Sequence, residues 1–176
     1  MKKIILLATI VSNLSFAATE IKSSQIDFTA VGNPSFIKAT GKLLFSKAML
    51  KRMENKISGT IVVDLEKLDT EIELRDQHLK ENYLETKKFP EAKLVLKPFE
   101  LKDGESKTQK VMATLELHGV QKDMQIELDL KRMQEEVSVE GEFEIKLTDH
   151  NIELPSFQGI TAADTVKIKV AAKLKI

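Results

Sequence analysis

The feature that most restricts this chain is a period-two alternation of apolar and polar residues. In one segment Val111, Ala113, Leu115 and Leu117 fall on one face, opposite Met112, Thr114 and Glu116. In the next, Met124, Ile126, Leu128 and Leu130 oppose Gln125, Glu127 and Asp129. Val137, Val139, Phe143, Ile145 and Leu147 then oppose Ser138, Glu140, Glu142, Glu144 and Lys146. Val166, Ile168, Val170, Ala172, Leu174 and Ile176 oppose a run of lysines. Such alternation means strands with one dry and one wet face. It excludes a parallel sheet buried on both sides, whose strands read as continuous apolar runs.

The first half follows the same rule less regularly, through Ile26 to Ala30, Ile37 to Phe45, Ile57 to Leu65, and Leu94 with Leu96. Ala48 to Met53 reads as a further strand or a turn of helix. Turn chemistry separates the segments: Gly32-Asn33-Pro34, Asp103-Gly104 and His118-Gly119. Seven or eight antiparallel strands can bury one face as a sandwich or as a closed barrel. Several strands are about ten residues long, as tilted barrel strands are, and closure removes exposed edges. The expected fold is an all-β, eight-stranded antiparallel barrel.

The leader and composition set the surroundings. Lys2 and Lys3, the apolar run Ile4 to Val11 and the Ser15-Phe16-Ala17 end read as a signal peptide over residues 1–17, removed before folding. The run is too short for a bilayer core of roughly 30 Å, although an uncleaved anchor is the alternative. The expected domain is residues 18–176, and the expected location is the periplasm. There is no cysteine, hence no disulfide or thiolate chemistry. The 27 basic and 27 acidic side chains balance, which argues against nucleic acid as a partner.

One stretch breaks the alternation. Leu68 to Pro90 reads as a short helical insert, about residues 70–85, with Asp69 or Thr70 as its cap. Leu74, Leu79 and Tyr83 form its apolar stripe, which fits a lid over one end of a sheet. Arg75, Asp76 and His78 could form an acid–base cluster, but no Cys or strained Ser nucleophile accompanies them. His78, His118 and His150 have no metal-binding spacing. The expectation is therefore a structural role for Arg75, Asp76 and His78, through an ion pair and a helix-to-barrel hydrogen bond. His118 is read as a turn residue and His150 as a loop residue.

Three segments carry a resemblance. They are SGTIVVDLEKLDTEIELRDQHLKENYLETKKFPEAKLVL (58–96), ATLELHGVQKDMQIELDL (113–130) and FEIKLTDHNIELPSFQGITAADTVKIKVAAKL (143–174). Their Asp-Thr turn, Arg-Asp-x-His-Leu helix, Phe-Pro approach and His-Gly-Val hairpin resemble the YceI-like family of secreted, polyisoprenoid-binding bacterial proteins. The chain departs from the family at Gly32, where relatives often place a His nearby. It departs again at Thr148 to Ile152, where they have Arg-x-x-Phe-Gly.

The resemblance implies a lipocalin-like barrel with an apolar tunnel for a long isoprenoid chain. The ligand would be a polyprenyl-type lipid or isoprenoid quinone, with no other cofactor and no metal. The lining residues would be Phe28, Ile61, Val63, Leu94, Leu96, Leu115, Leu117, Ile126, Leu128, Phe143, Ile145, Ile168 and Val170. Leu79, Tyr83, Phe89, Leu154, Pro155, Phe157 and Ile160 would form the mouth. A non-enzymatic carrier, monomeric or dimeric and touching the membrane transiently, is the leading expectation. The alternatives are a ligand-free stress-response or protein-interaction module, with a solid barrel that engages a protein through its loops, and an enzyme using Arg75, Asp76 and His78.

Overall fold

The computed structural model describes residues 19–33, 38–157 and 160–176, except the side chains of Asn33, Phe157 and Ile160. The expected leader over residues 1–17, Pro34 and Ile37 lie outside the described residues.

Ten antiparallel strand segments follow one another: β1 (Glu20–Asn33), β2 (Lys38–Leu43), β3 (Phe45–Met53), β4 (Lys56–Asp64), β5 (Glu91–Glu100), β6 (Ser106–Leu117), β7 (Val120–Met133), β8 (Glu136–Lys146), β9 (Ser156–Phe157) and β10 (Ile160–Lys175). One helix, α1 (Glu73–His78), lies between β4 and β5 and runs on as a wider π-type turn through Leu79–Tyr83. The sheet order is β2-β1-β10-β8-β7-β6-β5-β4-β3, with β9 on the edge of β10.

The expected count of eight strands differs from these ten segments for a local reason. β2 and β3 are separated only by Leu44, yet β2 pairs with β1 and β3 pairs with β4. One bent strand thus serves both ends of the sheet and rolls it into a barrel, leaving eight long strands around the ring and β9 as a two-residue addition. Where β1 faces β3, hydroxyls replace the ladder. The Phe45 amide donates to Ser24 Oγ (2.9 Å), and the Leu50 amide donates to Thr19 Oγ1 (2.8 Å), whose own hydroxyl reaches the Leu50 carbonyl (3.3 Å). Backbone groups that a seam would leave unpaired are satisfied this way. Ala48 to Met53 is strand, within β3.

Turn residues behave as their chemistry requires. His118 and Gly119 both have positive φ (53° and 74°), the geometry of a two-residue hairpin whose flanking pair is Leu117 and Val120. At Gly119 a β-carbon would lie 2.7 Å from the Phe89 ring, so the turn also needs glycine for close packing.

The inward residues divide into two apolar clusters. Leu101, Val111, Ile126, Leu130, Val137 and Leu174 centre the first, and Leu65, Leu117, Leu147, Ile152 and Val166 the second. Near the first cluster the β7–β8 turn, the β5–β6 connection and the β3–β4 turn are tied together. Arg132 takes an inward position that alternation reserves for an apolar residue, and it is buried. Its guanidinium donates to the Leu101 carbonyl (2.9 Å) and the Gln134 carbonyl (3.1 Å), and Arg52 donates to the same Gln134 carbonyl (3.2 Å). A buried cation is tolerated because these carbonyls accept its hydrogen bonds.

Candidate functional site: an apolar tunnel under the insert

The barrel is hollow. A cavity of about 550 Å³ runs through it, lined by residues from β1 to β8, β10 and the insert. All thirteen residues expected to face inward line it, from Phe28 on β1 to Val170 on β10. Phe28, Leu94, Leu115, Phe143, Ile145, Ile168 and Val170 are only half-buried although they point into the barrel. Inward residues of a filled barrel would be fully covered. Here one side of each meets open space. At the first cluster the lining is tight, with Ile57 and Ile126 each 1% exposed.

The insert closes over the second cluster. Leu65, Leu68, Leu74, Leu79, Tyr83 and Leu84 all contribute to the lining. Three attachments hold the insert in place. At its start, Asp69 pairs backbone to backbone with Lys42 of β2 (2.8 and 3.2 Å). In its middle, the Tyr83 hydroxyl accepts from the Ser156 amide (3.1 Å) and donates to the Ser156 carbonyl (3.3 Å) on β9. At its end, the Glu85 carboxylate meets His118 Nε2 at 2.8 Å on the β6–β7 turn. His118 Nδ1 lies 3.2 Å from the His150 carbonyl, so one imidazole joins three segments.

The helix starts later than expected. Ile72 is its N-cap, with no side-chain cap bond. Glu71 takes a left-handed φ of 64°, which turns the chain sharply and aims Thr70 back at the helix. Asp76 accepts from the Thr70 amide (2.9 Å) and from the Thr70 hydroxyl. Arg75 donates through Nε to Thr70 Oγ1 (2.9 Å) and through Nη2 to the Thr70 carbonyl (2.7 Å). For Arg75 and Asp76 these bonds lie within the insert, because Thr70 supplies both a donor and acceptors at close range. Arg75 and His78 also line the cavity, which Asp76 does not.

The mouth differs from expectation in part. Leu79, Tyr83 and Pro155 line the cavity, as do Ser156, Val31, Lys38 and Ala162. Phe89 does not: its ring packs edge-on against His118 (centroids 4.5 Å apart), and the Lys88 ammonium sits over the ring. Leu154 packs into the second cluster without reaching the lining. The side chains of Phe157 and Ile160 lie outside the described residues. Ile72 and Leu74 line the cavity and are more than half exposed, whereas the sequence placed Leu74 on the stripe facing the barrel.

The loop after β8 completes this end. Leu147 and Ile152 line the cavity. His150 is buried rather than an ordinary loop residue, and its Nδ1 donates to the Val120 carbonyl (3.1 Å). The Thr148 amide and hydroxyl donate to Asp164 of β10 (2.9 and 2.8 Å), which holds the Asp164 carboxyl below the ordinary aspartate range. On the outer face, the amide of Gln121 and the ammonium of Lys93 likewise hold Glu116 below the usual glutamate range. No group of three or more potential metal ligands gathers among the described residues. No helix among them is long and apolar enough to cross a membrane.

Comparison with known proteins agrees with this geometry. The polyisoprenoid-binding domain from Saccharophagus degradans implicated in plant cell wall breakdown superposes with a TM-score of 0.72 at 20% identity, over 90% of this chain and 98% of that one. BcnA from Burkholderia cenocepacia gives a TM-score of 0.67 at 15% identity, over 87% and 96% of the two chains. The YCEI protein of Campylobacter jejuni gives 0.55 at 14% identity, over 98% and 97%. No curated protein matches. The YceI-like domain family matches residues 9–174, and the chain, with its hollow barrel and bridging insert, belongs to that family.

Proposed function

We propose that this protein is a periplasmic carrier for a long-chain isoprenoid or similar amphiphilic lipid, isoprenoid quinones included, held in the barrel tunnel. The observation that carries the reading is the cavity of about 550 Å³ walled by Val, Ile, Leu and Phe side chains. That volume is within the roughly 300–1,000 Å³ of small-molecule sites, and the wall asks for hydrocarbon. At about 0.3 kcal/mol per heavy atom, a chain of about twenty-five carbons gains ~7.5 kcal/mol, a dissociation constant of a few micromolar. No reacting group is needed for this work.

Family membership and the likeness to a polyisoprenoid-binding domain support an isoprenoid ligand. Ile72 and Leu74, exposed beside the opening, suit brief contact with a membrane from which a lipid is taken or to which it is returned. The basic, apolar leader of residues 1–17 supports the periplasmic location.

The test is expression with the leader intact, purification from the periplasm without detergent, and native mass measurement followed by lipid extraction. A co-purified isoprenoid lipid is the expected result. Protein that is always empty and does not take up prenyl probes overturns the proposal.

A further inference from the structure

We propose that the mouth of the tunnel selects amphiphiles with an anionic head group, a phosphate or carboxylate on the end of an apolar chain. The inference rests on the lipid-carrier reading and specifies the ligand of that same site. Basic and acidic residues are equal in number in the whole sequence, 27 each. Yet the side chains lining the tunnel that can carry positive charge are Lys38, Arg75 and His78, and no Asp or Glu lines it among the described residues.

Arg75 is the centre of the case. It is half-buried, and two of its nitrogens are fixed on Thr70, both times by neutral acceptors. Among the described residues no carboxylate forms an ion pair with it. Its sequence neighbour Asp76 is turned to the amide and hydroxyl of Thr70. Of the other acids of the insert, Asp69 accepts from the Glu71 amide, Glu71 lies 3.5 Å from Lys42, Glu81 takes the Gln77 amide, Glu85 meets His118, and Glu73 is exposed. The Asp76 carboxylate reaches this guanidinium only through the Thr70 hydroxyl on which both converge, so the cation beside the apolar wall makes no direct ion pair, and a bound anion supplies one. The Thr70 bonds orient the fork in advance, so little ordering remains when a head group docks. Lys38, which also lines the tunnel, adds a second cation.

The experiment compares geranylgeranyl phosphate with geranylgeraniol, which share a chain and differ in the head, by displacement of an apolar fluorescent probe. Palmitate and inorganic phosphate are run beside them. A charge-assisted hydrogen bond predicts at least about tenfold tighter binding of the prenyl phosphate at low salt. The preference shrinks at high ionic strength as the charges are screened. Arg75→Gln removes most of this phosphate-to-alcohol preference, the larger loss falling on the prenyl phosphate. Because Arg75→Gln also loosens Thr70, Lys38→Gln, on an exposed strand end, is the second variant and lowers the preference less. Palmitate competing better than hexadecanol, its alcohol, run in the same assay, supports the inference further.

Equal binding of phosphate and alcohol overturns the head-group inference and leaves the lipid reading standing. A preference untouched by both variants overturns its assignment to this mouth. Inorganic phosphate displacing the probe alone makes this a site for free anions and overturns it too. If neither prenyl compound binds, the lipid reading itself fails, and this inference with it.

Discussion

At Gly41 a β-carbon would lie 2.3 Å from Phe28 Cζ and 2.8 Å from the Asp69 carbonyl. The ring could swing aside, but the carbonyl is part of the backbone bridge that starts the insert. Gly41→Ala should therefore cost about 1–3 kcal/mol through overpacking, and denaturant midpoints will show it. Asp164 illustrates a second residue-level dependence. Its carboxyl is held below the ordinary range by Thr148, so the bond supports the folded loop above the free-aspartate pKa of about 3.9. That support is lost as pH falls through the lower folded value. Amide exchange at Thr148 should accelerate in acid beyond its intrinsic rate. Asp164→Asn, which keeps an acceptor but cannot titrate, should flatten the response.

At the scale of the element, the insert is a strap held at three points, and its own helix is one and a half turns long. A helix so short is marginal alone, so its attachments to the barrel hold it. Tyr83 and Glu85 contribute little to global stability, since both contacts are near the surface and the Glu85 side chain is 44% exposed. They should matter more for opening. Tyr83→Phe combined with Glu85→Gln should speed probe release several-fold in stopped-flow measurements while melting shifts by only a few degrees. The position of the insert was legible in the sequence, because helical spacing interrupts period two at Leu68. Its capping was not, because a left-handed Glu71 carries no sequence mark and redirects Thr70. Phe89 misled for a related reason: an aromatic before Pro90 reads as a rim residue, and only the fold brings His118 and Gly119 against it. Arg132 was invisible as well, because alternation assigns a face but cannot say which carbonyls will meet a charge there.

For the whole molecule, the distinction that matters is between a hollow barrel and a solid one, and alternation cannot make it. Inward Leu and Ile residues read the same whether they touch across the axis or stand apart. The difference lies in strand number and tilt, which set the barrel's width and depend on the bent β2–β3 strand and its hydroxyl-bridged seam. A substitution can test the hollow directly. Leu94 lines the cavity from β5 and is half-buried. In a close-packed interior, Leu94→Trp would force off-rotamer side chains at about 1–3 kcal/mol. In this barrel the indole has room, so stability should stay within about 1 kcal/mol of the parent, or rise as the ring covers apolar surface. The chain contains no tryptophan, so the new residue also reports alone. Its emission should be blue-shifted, as for a dry site, and prenyl probes should bind at least tenfold more weakly because the indole takes their space. A destabilised variant with unchanged probe binding would mean that side chains already fill the axis.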